Sequence, residues 1–254
     1  MAVVIAVTNQ KGGVGKTTTC AALAGILRGR GKRVLAIDMD PQGNLSFSLG
    51  APDTGNTIHD VIKGACDIRD AIKNTRSCDV ITSNILLSGT ELEISGENRE
   101  FILKEALSKV KSNYDYIIID TPPALSVLTI NAYTAANDLI IPMTAEILSL
   151  HGISQLKQTI LAVKKYYNKK LNIRGILITK YMPKQLLSRE VSEMAEVIAN
   201  QLGTVVMESK IAFSAPVAEA PAHQQTINVY SPSCKASKDY VKLAEALYPE
   251  IRFD

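Results

Sequence analysis

The chain has 254 residues, a length that suits one α/β domain, and its 46% hydrophobic content with 5% aromatic and no Trp describes an aliphatic core. A formal net charge of +3 is too small for a globally basic nucleic-acid binder, so any such surface must be local. Cys20, Cys66, Cys78 and Cys234 are widely spaced with no C-x-x-C pair, which argues against a metal cluster or disulfide framework and for a reduced, cytoplasmic setting.

In chain order, the first predicted element is a β-branched strand over 3–7, which begins so early that no leader peptide or N-terminal DNA-binding domain is expected. The segment that follows, Asn9-Gln10-Lys11-Gly12-Gly13-Val14-Gly15-Lys16-Thr17-Thr18, leads into a predicted helix over 16–28. A strand that feeds a glycine turn into a helix N-terminus aims backbone N–H groups and the helix dipole at one point, which binds phosphate. The pattern G-x-x-x-x-G-K-[ST] is broken only at its first glycine, here Gln10. Lys16 would reach the β- and γ-phosphates of ATP and Thr17 would hold Mg²⁺. Lys11 is a second cation at the mouth of the loop, aimed at the phosphates of its own or a partner subunit's ATP.

Further strands are predicted over 33–37, 79–82, 116–119, 139–142, 173–179 and 204–207. Helices are predicted over 58–63, 99–110, 126–136, 153–167, 187–201 and 238–248. Apolar strands alternating with helices imply a doubly wound, mostly parallel sheet covered on both faces, in one domain spanning 1–254. Ligands of such sheets sit beyond the strand C-termini. Asp38 and Asp40 stand there after the second strand, Asp120 ends the strand over 116–119, and Glu146 follows the one over 139–142. An acid beside a phosphate loop can hold a Mg²⁺-bound water; Glu146 reads equally well as a helix-start acid.

Lys-Gly-Gly-Val-Gly-Lys-Thr-Thr, Asp-Met-Asp-Pro-Gln-Gly-Asn, Ile-Asp-Thr-Pro-Pro and the late Val-Ala-Glu-Ala-Pro together resemble the ParA/MinD group of deviant P-loop ATPases, most closely the Soj-like partition ATPases without an N-terminal DNA-binding domain. The resemblance implies an ATP-dependent homodimer in which Lys11 crosses to the partner's phosphates, with Gly12, Gly13, Val14, Gly15, Lys16, Thr17 and Thr18 wrapping the nucleotide. It implies that Asp40 orients the attacking water, and that Thr17, Asp40 and Asp120 serve the Mg²⁺. The adenine loop of the family falls at 211–214, where its usual Pro and Asn are Ala212 and Ser214. The implied partners are non-specific DNA and a ParB-like protein that stimulates hydrolysis.

The arginines that the family commonly carries within and just after this loop are replaced by Phe213 and Pro216. From 157 to 189, however, run nine basic residues and no acidic one, including Lys164, Lys165, Lys169, Lys170, Lys184 and Arg189. Such one-sided charge could neutralise several phosphates, or could be a solvated helix end with its loops. Within it, the segment 180–184 follows a strand at the same sheet edge as the nucleotide and could contact the base instead. No apolar run reaches the roughly 18 residues of a membrane span. The amphipathic segment over 238–248 is expected to dock on the core, which disfavours a Min-type membrane ATPase. The remaining alternatives are a ParA-like ATPase that positions a protein cargo or maintains a mobile element, and a biosynthetic ligase with a second substrate pocket.

Overall fold

The computed structural model describes residues 2–251. Seven strands form one sheet in the order β3-β4-β2-β5-β1-β6-β7. They are β1 (Val3–Val7), β2 (Val34–Asp38), β3 (Ile72–Asn74), β4 (Asp79–Ile81), β5 (Tyr116–Asp120), β6 (Asp138–Thr144) and β7 (Asn172–Thr179). All neighbours run parallel except β3, which pairs antiparallel with β4 at the edge.

The alternation along β1 shows why the sheet needs cover on both sides. Val4 and Ala6 enter one core cluster while Ile5 and Val7 enter the other, all fully buried. Helices α1 (Lys16–Gly29), α2 (Asn44–Ser48), α10 (Ile227–Tyr230) and α11 (Lys235–Leu247) contribute to the second cluster. The first is covered by α3 (Ile58–Ile62), α4 (Leu87–Glu93), α5 (Ile102–Ser108), α6 (Val127–Ala135), α7 (Ile147–Tyr166) and α8 (Leu186–Leu202). A short helix, α9 (Pro216–Glu219), completes the set. The expected docking of the last long helix holds, since Ala236, Tyr240, Leu243, Ala244 and Leu247 of α11 are buried. Arg252, Phe253 and Asp254 lie outside the described residues.

The short elements α2, α4, α9 and α10 were not predicted, and three further features differ from the sequence expectation. The predicted strand over 204–207 makes only an isolated bridge to β7, with Ile176 donating to the Val205 carbonyl and accepting from Met207, both at 2.9 Å. The seventh strand is instead β3, a three-residue edge piece too short to show periodicity. Helix α7 also starts six residues before its predicted start of 153, directly after Glu146.

Candidate active site

Parallel register assembles the site. Val7 pairs with Asp120, and Asp120 with Asp38, so β1, β5 and β2 end level with one another. The loop 8–15 rises from the end of β1, turning through left-handed Gly13 (φ 74°) and Gly15 (φ 89°), which becomes the N-cap of α1. An L side chain at either position would be strained, which is why the loop needs glycine there. The first amides of α1 have no intrahelical acceptor and face the space above the sheet. The buried Val14 carries the loop's apolar contact, and the Thr179 hydroxyl donates to its carbonyl at 2.8 Å.

The site residues foreseen in the sequence come together here. Gly12, Gly13, Gly15, Lys16, Thr17, Thr18, Asp40, Ala212 and Ser214 all line one cavity of about 750 Å³. Lys16 is buried, its ammonium donating to the Lys11 carbonyl at 3.2 Å. Burial pulls its pKa down, against the opposing charges of Asp120 and Asp40. The Thr17 hydroxyl donates to Asp120 Oδ2 at 2.6 Å. Burial, and then the neighbouring Asp38 charge, push the Asp120 carboxyl above the ordinary carboxylate range.

Asp38 supports the turn rather than facing ligand. It is fully buried and accepts from the Ser46 amide and hydroxyl, each at 2.8 Å, and from the Asp40 amide at 3.1 Å. Its pKa is also raised, by burial first. Asp40 sits on the turn so anchored, its Oδ1 accepting from the Gln42 amide at 3.1 Å.

The residues present fit the Mg²⁺ that the loop implies. Asp120 Oδ1 is buried and has no hydrogen-bond partner, while its other oxygen holds the Thr17 hydroxyl. A buried carboxylate oxygen left bare is unfavourable, and a metal-bound water would supply the missing donor.

Lys11 behaves differently from Lys16. Its backbone is tied back to Asn9 Oδ1 at 3.0 Å, but its ammonium leaves its own loop for Glu146 at 2.5 Å and Ser149 Oγ at 3.2 Å. The hydrogen bond from Lys11 holds the Glu146 carboxyl below its usual range. Glu146 therefore faces the phosphate loop in addition to preceding α7.

A family model described as an AAA domain matches residues 2–173. The chain is 41% identical to the sporulation initiation inhibitor protein Soj of Bacillus subtilis, over 96% of this chain and 98% of that one. It is 40% identical to the chromosome partitioning protein ParA of Caulobacter vibrioides, over 98% of this chain and 95% of that one. The chain belongs to the ParA/Soj family of partition ATPases. Among solved structures, cobyrinic acid a,c-diamide synthase from Mycobacterium smegmatis, with an ATP analogue and magnesium bound, superposes with a TM-score of 0.85 at 35% identity, covering 97% of this chain and 94% of that one. The phosphate loop and Asp40 thus line one cavity in this chain, while Asp120 is buried behind Thr17, and Lys11, Val14 and Asp120 are not among the lining residues.

The basic residues that the sequence offers for DNA do not form one patch in this ParA/Soj chain. Lys164 and Lys165 lie at the C-terminal end of α7, with Lys169 and Lys170 in the turn before β7. Lys184 and Arg189 come after β7. Since β7 has eight residues, the two groups sit at opposite ends of a strand roughly 26 Å long. Lys184, Arg189, Lys165, Lys169 and Lys170 are exposed, and Lys164 is half-buried. The segment 180–184 and the loop 211–214, both expected at the nucleotide edge, reach the cavity: Lys180 lines it in a left-handed conformation (φ 50°), and Phe213 lines it while 61% exposed. Tyr240 was not foreseen in the sequence; it reaches the cavity from α11, its hydroxyl paired with that of Thr19 at 3.2 Å. Its separation from the phosphate loop along the chain gives no local pattern by which to find it.

Proposed function

We propose that this chain is an ATP-dependent dimerising switch that hydrolyses ATP slowly and serves partition of a chromosome or plasmid. The observation that carries the reading is the divergence of the two lysines. Lys16 is buried with its ammonium on the loop's own backbone, whereas Lys11 directs its ammonium away from the loop to the outer side of the site. A cation so placed adds little to its own nucleotide and is available to a second copy's phosphates.

In this mechanism the loop amides of 12–18 and Lys16 hold the triphosphate, and Asp40 positions a water for in-line attack on the γ-phosphoryl group. The Thr17 hydroxyl and Asp120 would hold Mg²⁺, whose charge would neutralise the phosphate oxygens. Lys11 of the second copy adds positive charge that complements the negative charge spread over the phosphoryl oxygens, so dimerisation and catalysis depend on one another. Positioning is the main contribution of the protein, which accords with a slow enzyme.

The expected outcomes separate binding, pairing and chemistry. Asp40→Ala should keep ATP-dependent dimers in light scattering while phosphate release falls by at least tenfold; hydrolysis equal to the unaltered chain would remove Asp40 from the mechanism. Lys11→Ala should keep ATP affinity within a few-fold and lose the dimer, and a normal dimer would refute the cross-subunit role. The dimer is proposed to bind DNA without sequence preference, in a cytoplasmic and nucleoid-associated setting, until a ParB-like protein stimulates hydrolysis. Positioning of a protein cargo, or upkeep of a mobile element, is the second reading. It is favoured by Phe213 and Pro216 at the positions of the family arginines and by the division of the basic run.

A further inference from the structure

The cavity continues past the phosphate loop into a lobe bounded by Ala212, Phe213, Val217, Pro221 and Tyr240. If the chain binds ATP as proposed and its adenine loop falls at 211–214 as the family resemblance implies, this lobe takes the base, and the segment 211–213 forms one of its walls. That wall is neither helix nor ladder strand, so its backbone groups must be satisfied individually. The Ile211 amide donates to the Ile178 carbonyl at 2.8 Å, the Ile211 carbonyl accepts from Tyr181 at 2.9 Å, and the Phe213 amide donates to the Tyr181 carbonyl at 3.2 Å. These bonds turn 211 and 213 toward Tyr181. In an extended chain the amide of the residue between them points the opposite way, off the edge of the sheet.

Asp239 meets that amide. Its Oδ2 accepts from the Ala212 N–H at 3.1 Å, and its Oδ1 pairs with the Lys235 ammonium one turn earlier on α11. The carboxylate is 4% exposed and does not line the cavity, so it stands behind the wall. A buried carboxylate is costly to keep unless its bonds are made, and here one oxygen is committed to a single loop amide.

We propose that Asp239 is a positioning residue for nucleotide binding, clamping the Ala212 peptide so that the wall is already formed when the base arrives. The proposal rests on the assignment of this lobe to the base. Alanine at 212 has a free amide and a freely rotating φ; proline, which the family usually carries there, has neither. Asp239 supplies from α11 the restraint that a proline ring would supply from within the loop. A preformed wall removes an ordering cost from binding and leaves the chemical step alone.

The test is calorimetric titration of the full chain with Mg²⁺-ATP, and with inorganic tripolyphosphate as a base-free probe. Asp239→Ala should weaken ATP binding on the order of tenfold, with tripolyphosphate affinity and turnover at saturating ATP unchanged. Asp239→Asn keeps a side-chain acceptor for the Ala212 amide and should stay within about threefold of the unaltered chain. Adding Ala212→Pro to Asp239→Ala removes the unpaired amide and should recover most of the lost affinity. The clamp is overturned if Asp239→Ala binds ATP like the unaltered chain, or if it loses ATP and tripolyphosphate in equal measure. Equal affinity of the unaltered chain for ATP and tripolyphosphate would instead overturn the base lobe, and the clamp with it.

Discussion

Lys11 is paired with Glu146 here, and on the proposed function it would serve a second copy of the chain as well. With Glu146 57% exposed, their ion pair is screened and contributes at most about 1 kcal/mol. The contact can therefore restrain Lys11 without trapping it. A Lys11 that is to reach a second copy must first leave Glu146 and Ser149. Glu146→Gln should accordingly shift the ATP-dependent dimer to lower protein concentration by a few-fold, read by light scattering against a concentration series. A weaker dimer in that variant would assign Glu146 to the interface itself.

Edge and central elements differ in how readable they were. Six of the predicted strands correspond to β1, β2, β4, β5, β6 and β7 because apolar β-branched runs are what a sheet covered on both faces requires. The edge is another matter. Residues 204–207 carry a strand-like pattern, but their backbone pairs with β7 only around Ile176, next to Gly175, with the Thr204 hydroxyl donating to the Ile173 carbonyl at 2.7 Å. The register of β7 on β6 shifts there, between Leu139 and Ile140. A Cβ at Gly175 would lie 2.9 Å from both the Val205 carbonyl oxygen and Met207 Cγ, so the glycine exists to admit this segment. Gly175→Ala should push it off and cost about 1–3 kcal/mol in chemical denaturation. An unchanged midpoint would mean that the segment contributes nothing to the edge.

The site divides along the same line. The phosphate loop, Asp40 and Asp120 were legible because each lies at a strand end with its chemistry contiguous in sequence. The hold of Asp239 on Ala212 was not, since a bond between residues 27 positions apart has no local signature. Ser46 behind Asp38 and Thr179 behind Val14 escaped for the same reason.

At the scale of the molecule, the basic run read as continuous in sequence is two separate groups in space. Charge reversal tells them apart. Lys169→Glu with Lys170→Glu tests the start of β7, and Lys184→Glu with Arg189→Glu tests the far end. Each pair is titrated with random-sequence DNA and ATP at several salt concentrations. The contacting end is the one whose reversal lowers affinity and makes the log–log salt dependence shallower by about two. No loss from either pair, or binding indifferent to nucleotide, would sink the DNA-tethered reading and leave the cargo reading in its place.

Strand β7 carries one further consequence. It runs hydrogen-bonded to β6 from Asn172 to Thr179, so the ends it joins are fixed relative to each other. A nucleotide at one end has no soft joint through which to reshape a surface at the other. Control of a distant contact would then have to work by counting rather than by bending. One chain offers one set of charges; two chains held by ATP offer two, and the second engagement becomes intramolecular. That change in valence alone can raise avidity on the order of a hundredfold without altering a single contact, and hydrolysis would cancel it by returning each chain to a grip of one.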